Sequence, residues 1–230
     1  MSNPAQGVRA RARIEATAAI KDEARRQLAH EGAAKLSLRA VARELGLASS
    51  ALYRYFPSRD DLLTALIIDA YDAIGAAAEA ARDRTADVTP VRRWILVCEA
   101  VRGWALAHPH EYALIYGSPV PGYHAPQDTV SSAARVAEAL VGVVRQAYRG
   151  RGLAQPVLPA ALRPEAERMA AALAPDLPPQ VVAAFVAAWA ELFGLIGFEV
   201  FGQFHRVVED REEFFRHAVA RLAHEVGLEH

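Results

Sequence analysis

Cysteine is almost absent from these 230 residues: Cys98 stands alone. A lone thiol excludes an internal disulfide framework and fits a reducing compartment. Set in the apolar run 94–101, it reads as a small core residue rather than a reactive thiol. Long apolar runs are missing too. No uninterrupted stretch approaches the roughly 20 residues of a membrane-spanning helix, and the N-terminus has no signal-peptide core. A soluble, cytoplasmic protein with no membrane partner is expected. β-branched alternating segments are scarce, which argues against a sheet. No phosphate-cradling glycine loop appears. Gly117-Ser118-Pro119 lacks the flanking glycines of a nucleophile elbow. His108, His110 and His124 surround a proline loop that leaves their geometry undefined, and no cysteine joins them. No metal, no cofactor and no catalytic residue is expected.

What is present is charge of two signs, unevenly spread. Residues 1–59 carry eleven Lys/Arg and five Asp/Glu, a net of +6. The rest carries fifteen and twenty-two, a net of −7. A basic head on an acidic body suits a protein that offers one end to nucleic acid; chance clustering on solvated helices is the alternative. The length allows one large domain or two small ones with a sizeable core. The alanine-rich composition predicts an all-α chain.

The most informative stretch is 37–56, SLRAVARELGLASSALYRYF. Leu38, Val41, Ala42 and Leu45 recur at helical spacing, and Gly46 then supplies the left-handed residue that a helix end and tight turn need. Leu47 and Leu52 give the apolar side of a second helix over about 49–55. Ala42 is small enough for two helices to cross steeply, as in a helix-turn-helix. Arg39, Arg43, Ser49, Ser50, Tyr53, Arg54 and Tyr55 are left as a polar set suited to phosphates and base edges.

Before this pair, residues 1–12 read as a disordered polar tail, followed by a first helix to about His30 with Ile20, Ala24 and Leu28 as its core stripe. After it, Pro57-Ser58 breaks the chain, and Ser58 can cap a long helix over 59–84. Further helices are expected over 90–108, 111–116, 127–149 and 165–174. The most apolar one, 181–204, has Glu191, Glu199 and Gln203 as its only polar side chains and should be buried on most sides. An amphipathic helix over 210–226 comes last. The terminal Leu228-Glu229-His230 looks like a purification-tag stub and is left out of the fold reading.

The run Ile20, Ala24, Leu28, Gly32, then LSLRAVARELGLASSALYRYFPSRDDLL, resembles the N-terminal domain of the tetracycline-repressor (TetR) family of bacterial transcriptional regulators. LYRYFPSRDDLL directly after a helix-turn-helix is the specific part. The family often has serine at Ala48, histidine at Tyr55 and lysine at Arg59, and the first departure would move the helix cap to Ser49. The resemblance implies a three-helix DNA-binding domain over 1–58 and a helical effector-binding and dimerisation domain over 59–228. It implies that Ser49, Tyr53, Tyr55 and Arg59 hold phosphates of double-stranded DNA, with Ser37 adding its hydroxyl. Arg39 is the leading candidate for reading a base, since its fork matches guanine O6 and N7. Ser50, Ala51 and Arg54 are further candidates. An arm carrying Arg9, Arg11 and Arg13 would either reach a minor groove or only solubilise.

By the same resemblance, the helices 181–204 and 210–226 would pair with those of a second copy, making a homodimer that reads a palindrome. The 59–84 helix would be a lever moved by a small-molecule effector, and repression would be the commoner outcome. The body also resembles a domain type marked Trp-x-x-x-His-Gly, which here reads Trp189 to Gly194 with Phe193 in the histidine place. Trp94, Trp104, Tyr112, Tyr123, Trp189, Glu191, Phe193 and Phe201 either line an effector cavity or form plain core. Glu191 and Glu199, two turns apart on a greasy helix, need partners if buried: a basic neighbour, or a cationic or hydroxylated ligand. The competing readings are a helical small-molecule-binding protein or enzyme without operator affinity, and a DNA-binding protein with an unresponsive body.

Overall fold

The computed structural model describes residues 4–85, 87–150 and 152–229. Among these, every regular element is helical. The ten α-helices are α1 (Pro4–Glu31), α2 (Leu38–Glu44), α3 (Ser49–Leu52), α4 (Arg59–Arg84), α5 (Pro90–Ala107), α6 (Pro109–Tyr116), α7 (Thr129–Arg149), α8 (Arg163–Leu173), α9 (Pro179–Val200) and α10 (Arg211–Glu225). They form two compact units, Met1–Ala70 with His110–Val130, and Tyr71–Pro109 with Ser131–His230. Leu62, Leu63 and Leu66, in the first turns of α4, are buried in the core of the first unit.

That core gathers Ile20, Ala24 and Leu28 of α1, Leu38, Val41 and Ala42 of α2, and Leu52 and Phe56 at the end of the second helix of the pair. The α1 stripe is the expected one. Its start is not: residues 4–12 continue the same helix, and Met1–Asn3 lie outside the described residues. From Val8 to Ala19 there is no proline or glycine to break a helix, and arginine and alanine, both good helix formers, dominate.

In the second unit, Trp94 of α5 meets Phe185 of α9 edge to face, with centroids 6.3 Å apart. Around them lie Val97, Cys98 and Val101 of α5, Leu192 and Ile196 of α9, and Val219 and Leu222 of α10. Cys98 is fully buried, and burial pushes its thiol pKa far up, which makes it inert at neutral pH. Arg135 of α7 reaches α4, bonding both oxygens of Glu79 at 2.8 and 2.6 Å and the Asp72 carboxylate at 2.9 Å.

Three expectations for this unit need correction. Helix α9 stops at Val200 rather than 204, because Gly202 turns left-handed at φ 81°. Gln203 N–H then bonds Phe198 O and Gly202 N–H bonds Glu199 O, the paired closure of a Schellman end. Second, α9 is buried along one side only: Val181, Val182, Phe185, Ala188, Leu192 and Ile196 are covered, whereas Ala187, Ala190, Gly194 and Phe198 face outward. With 22 residues and an 18-residue stretch of mean hydropathy 2.0, it is also long and apolar enough to cross a membrane, by length and composition alone. Third, Leu228 is no appendage. It is 1% exposed, because Gly227 O accepts from Ala154 N–H and folds the chain end inward.

Candidate nucleic-acid interface

The turn between α2 and α3 forms as the residues dictate. Ser37 caps α2, its Oγ accepting from Ala40 N–H at 3.4 Å. Gly46, at φ 65°, closes it, with Leu47 N–H bonded to Ala42 O at 2.8 Å. Val41 and Ala42 point inward, so Arg39 and Arg43 are driven to the outer surface. On α3 the single buried residue is Leu52, and Ser49, Ser50, Tyr53 and Arg54 are exposed around it. The regular helix is shorter than expected, ending at Leu52 and continuing as turns through Tyr55. Nor does Ser49 cap it. Ala48 occupies that position and offers no side-chain acceptor, so the helix start leaves its amides facing out.

Ser37, Arg39, Tyr53 and Arg59 line one shallow depression, together with Pro57 and Ser58. Two of the predicted contact residues are held by their neighbours within this unit. Tyr55 is half-buried against the core, and the Arg13 guanidinium lies over its ring, 5.4 Å from the centroid. Arg59 donates to the carbonyls of Ala33 at 2.8 Å, Leu36 at 3.2 Å and Ala34 at 3.3 Å, and pairs with Asp60. It therefore staples the turn ahead of α2, a job that the sequence reading assigned to no residue. The signal for it was non-local: a basic residue opening α4 beside three carbonyls in and after a short 3-10 turn. The remaining set (Arg39, Ser49, Ser50, Tyr53, Arg54) offers two guanidinium forks and three hydroxyls, spread over α2, α3 and the turns that follow it. That chemistry matches phosphate anchoring and major-groove reading.

The proposed effector residues are divided between the two units. Tyr112 and Tyr123 belong to the first unit, where Tyr123 Oη lies 2.9 Å from Thr64 Oγ1 and Tyr112 is buried against Tyr116. Trp94, Trp104, Trp189, Glu191 and Phe193 belong to the second. Trp94 is core, Trp104 stacks on the His108 ring at 4.9 Å, and Trp189 meets Phe193 edge to face. Phe201, beyond the end of α9, is exposed. Both carboxylates of α9 have basic partners. Glu199 takes a two-pronged contact from Arg102 at 2.6 Å on each oxygen, and Glu191, exposed rather than buried, pairs with Arg221 at 2.8 Å. Donating to the Glu199 carboxylate raises the Arg102 pKa further.

Comparison with known proteins fits this geometry. Residues 20–66 match the family model described as bacterial regulatory proteins, tetR family, and residues 94–222 match the tetracyclin repressor-like C-terminal domain. The latter description does not specify the Trp-x-x-x-His-Gly type. The chain is 42% identical over 201 residues to the HTH-type transcriptional regulator Rv1816 of Mycobacterium tuberculosis, covering 86% of each chain. Among solved structures, the regulatory protein SCO4313 superposes with a TM-score of 0.76 at 33% identity, over 92% of this chain and 97% of that one. The TetR-family transcriptional regulator PfmR of Thermus thermophilus shares the fold at a TM-score of 0.57 and 20% identity, over 92% and 99%. With a helix-turn-helix presenting Arg39, Ser50 and Tyr53 and a matching helical body, the chain belongs to the TetR family of transcriptional regulators.

Proposed function

We propose that the chain acts as a homodimeric repressor that binds a palindromic operator and is released by a small-molecule effector. The observation that carries the dimer is the open side of α9. Ala187, Ala190, Gly194 and Phe198 run along it at helical spacing, and the exposed Phe201 and Phe214 continue the apolar surface. A Cβ placed on Gly194 would meet nothing within 4 Å, so the groove is open to a second backbone. A self-complementary surface of this kind closes by a two-fold axis. Two heads then read half-sites one helical turn, or a multiple, apart. Once that apolar side is covered, α9 is a buried helix of a soluble protein, and a cytoplasmic location follows.

Two buried donors support an effector site within the body. The indole Nε1 atoms of Trp94 and Trp189 are both shielded from water without a hydrogen-bond partner among the described residues. Such donors are costly unless an acceptor meets them, and an effector bearing carbonyl, hydroxyl or carboxylate oxygen would supply it. Effector binding shifts the population between a DNA-competent state and one with its heads out of register, through α4. The family consists of regulators, so no catalytic step is assigned.

Selection of randomised duplexes by the purified protein, with sequencing at two salt concentrations, tests this reading. A palindrome should emerge, with affinity falling steeply as salt rises. Arg39→Ala should relax preference at one base pair by about 1–3 kcal/mol, and Tyr53→Phe should weaken all sequences alike. Enrichment of single, non-repeated half-sites would overturn the dimer.

A further inference from the structure

Helix α1 is longer than its core requires. Its first fully buried residue is Ile20, and every described side chain from Gly7 to Glu15 is exposed. About three turns therefore project beyond the packed pair α2–α3. The face of α1 that packs into the core carries Ile20 and Ala24, four residues apart, with the part-buried Ala16 one turn before them. At 3.6 residues per turn, Arg13 and Arg9, seven and eleven residues before Ile20, fall within about 20° of the same line. Arg13 marks where the face leads, since its guanidinium lies over Tyr55 at the end of the recognition segment. Arg9 lies one turn further out on the same line. Arg11 is about 200° round the helix from Arg13, on the opposite side together with Glu15.

From this we infer that Arg9 and Arg13, but not Arg11, contact DNA phosphates flanking the segment read by α3, as an extension of the reading surface. Being helical decides the mode of contact. An α-helix about 10–12 Å across does not enter a minor groove about 6 Å wide, so these arginines meet the backbone and add affinity without adding sequence preference. Tyr55 steers Arg13 by holding its guanidinium over the ring face, at the edge of the surface that also exposes Tyr53 and Arg54.

The test compares the full chain with the double variant Arg9→Gln/Arg13→Gln, the single variant Arg9→Gln, and Arg11→Gln as control. Binding to the selected operator and to random duplex is measured across a salt series. The slope of log affinity against log salt should fall by about 0.9 for each phosphate that is no longer neutralised. For Arg9→Gln that is about 1.8 in a two-headed complex, and twice as much for the double variant. Arg11→Gln should leave the slope unchanged, and lysine at both positions should restore it. The enriched sequence should stay the same in every variant. An unchanged slope in the double variant, or an equal loss in Arg11→Gln, overturns the inference. A changed base preference at the operator flanks also overturns it, in favour of groove insertion by an unwound arm. The slope estimate rests on the two-headed reading, but if selection yields no palindrome, the comparison on random duplex still decides between Arg9 and Arg11.

Discussion

Arg135 lies directly over Gly75: a Cβ added to the glycine would come within 2.6 Å of the arginine Cβ. The absent side chain is what lets α7 approach α4 closely enough for Arg135 to grip Glu79 and Asp72 on either side. Two turns along both helices the roles reverse, with the Arg82 side chain lying over Gly142 at 3.5 Å.

Gly75→Ala should therefore destabilise the chain although alanine favours helix by about 1 kcal/mol. Overpacking against a Cβ rather than a flexible tip costs about 1–3 kcal/mol, so a net loss of about 1 kcal/mol is expected in urea unfolding. A gain in stability would show that α7 is not held this close.

Acid should loosen the same grip. Hydrogen bonds from Arg135 hold the Glu79 carboxyl below its ordinary 4.5. A depressed folded value contributes stability that is present above the unfolded pKa and lost as pH falls through the folded one. The difference in stability between the native chain and Arg135→Gln should be largest near neutral pH and shrink steadily below 4.5. A difference that persists undiminished to low pH would assign the effect to packing of the arginine stem.

Arg59→Gln removes a charged donor from three carbonyls. Loss of hydrogen bonds to a charged group costs about 1.5–3 kcal/mol, so the midpoint of thermal unfolding should fall. An unaltered midpoint combined with a shallower salt dependence of DNA binding would instead give Arg59 the phosphate role implied by family resemblance.

Gly194→Ala separates the isolated chain from the assembly. With open space around its Cβ, alanine should strengthen α9 by up to about 1 kcal/mol when the protein is dilute and monomeric. Across a two-fold axis the same methyl would hold the helices apart and raise the dimer dissociation constant about tenfold, given an overpacking cost of about 1–3 kcal/mol. Sedimentation over a concentration series reads both. An unchanged dissociation constant would move the dimer contact elsewhere.

Much of the DNA-reading pair was legible because its determinants are local. A serine cap, a glycine end and an apolar stripe act within a few residues, and Ser37, Gly46, Val41 and Leu52 do what their positions require. The features that were not legible depend on partners distant in sequence. Arg59 reads as a free cation until carbonyls 23 to 26 residues away reach it. Leu228 reads as a loose end until Ala154 closes over its neighbour. The polar α1 extension read as disorder because periodicity detects a buried face, and this segment has none. Glu191 and Glu199 read alike, yet one turns to solvent and Arg221 while the other lies under Arg102. Which side of α9 is covered depends on tertiary packing, which composition does not encode.

Because Arg59 opens α4 while its guanidinium clasps the turn that launches α2, the first turn of that helix and the reading pair have no slack between them. On the proposed effector-controlled reading, a displacement arriving along α4 would not be absorbed by bending at Pro57-Ser58. It would be delivered whole to Arg39, Ser50 and Tyr53, moving as one stiff plate. Stiffness of this kind would turn a small tilt into the simultaneous rupture of several phosphate and base interactions, and so would make release from DNA abrupt rather than gradual.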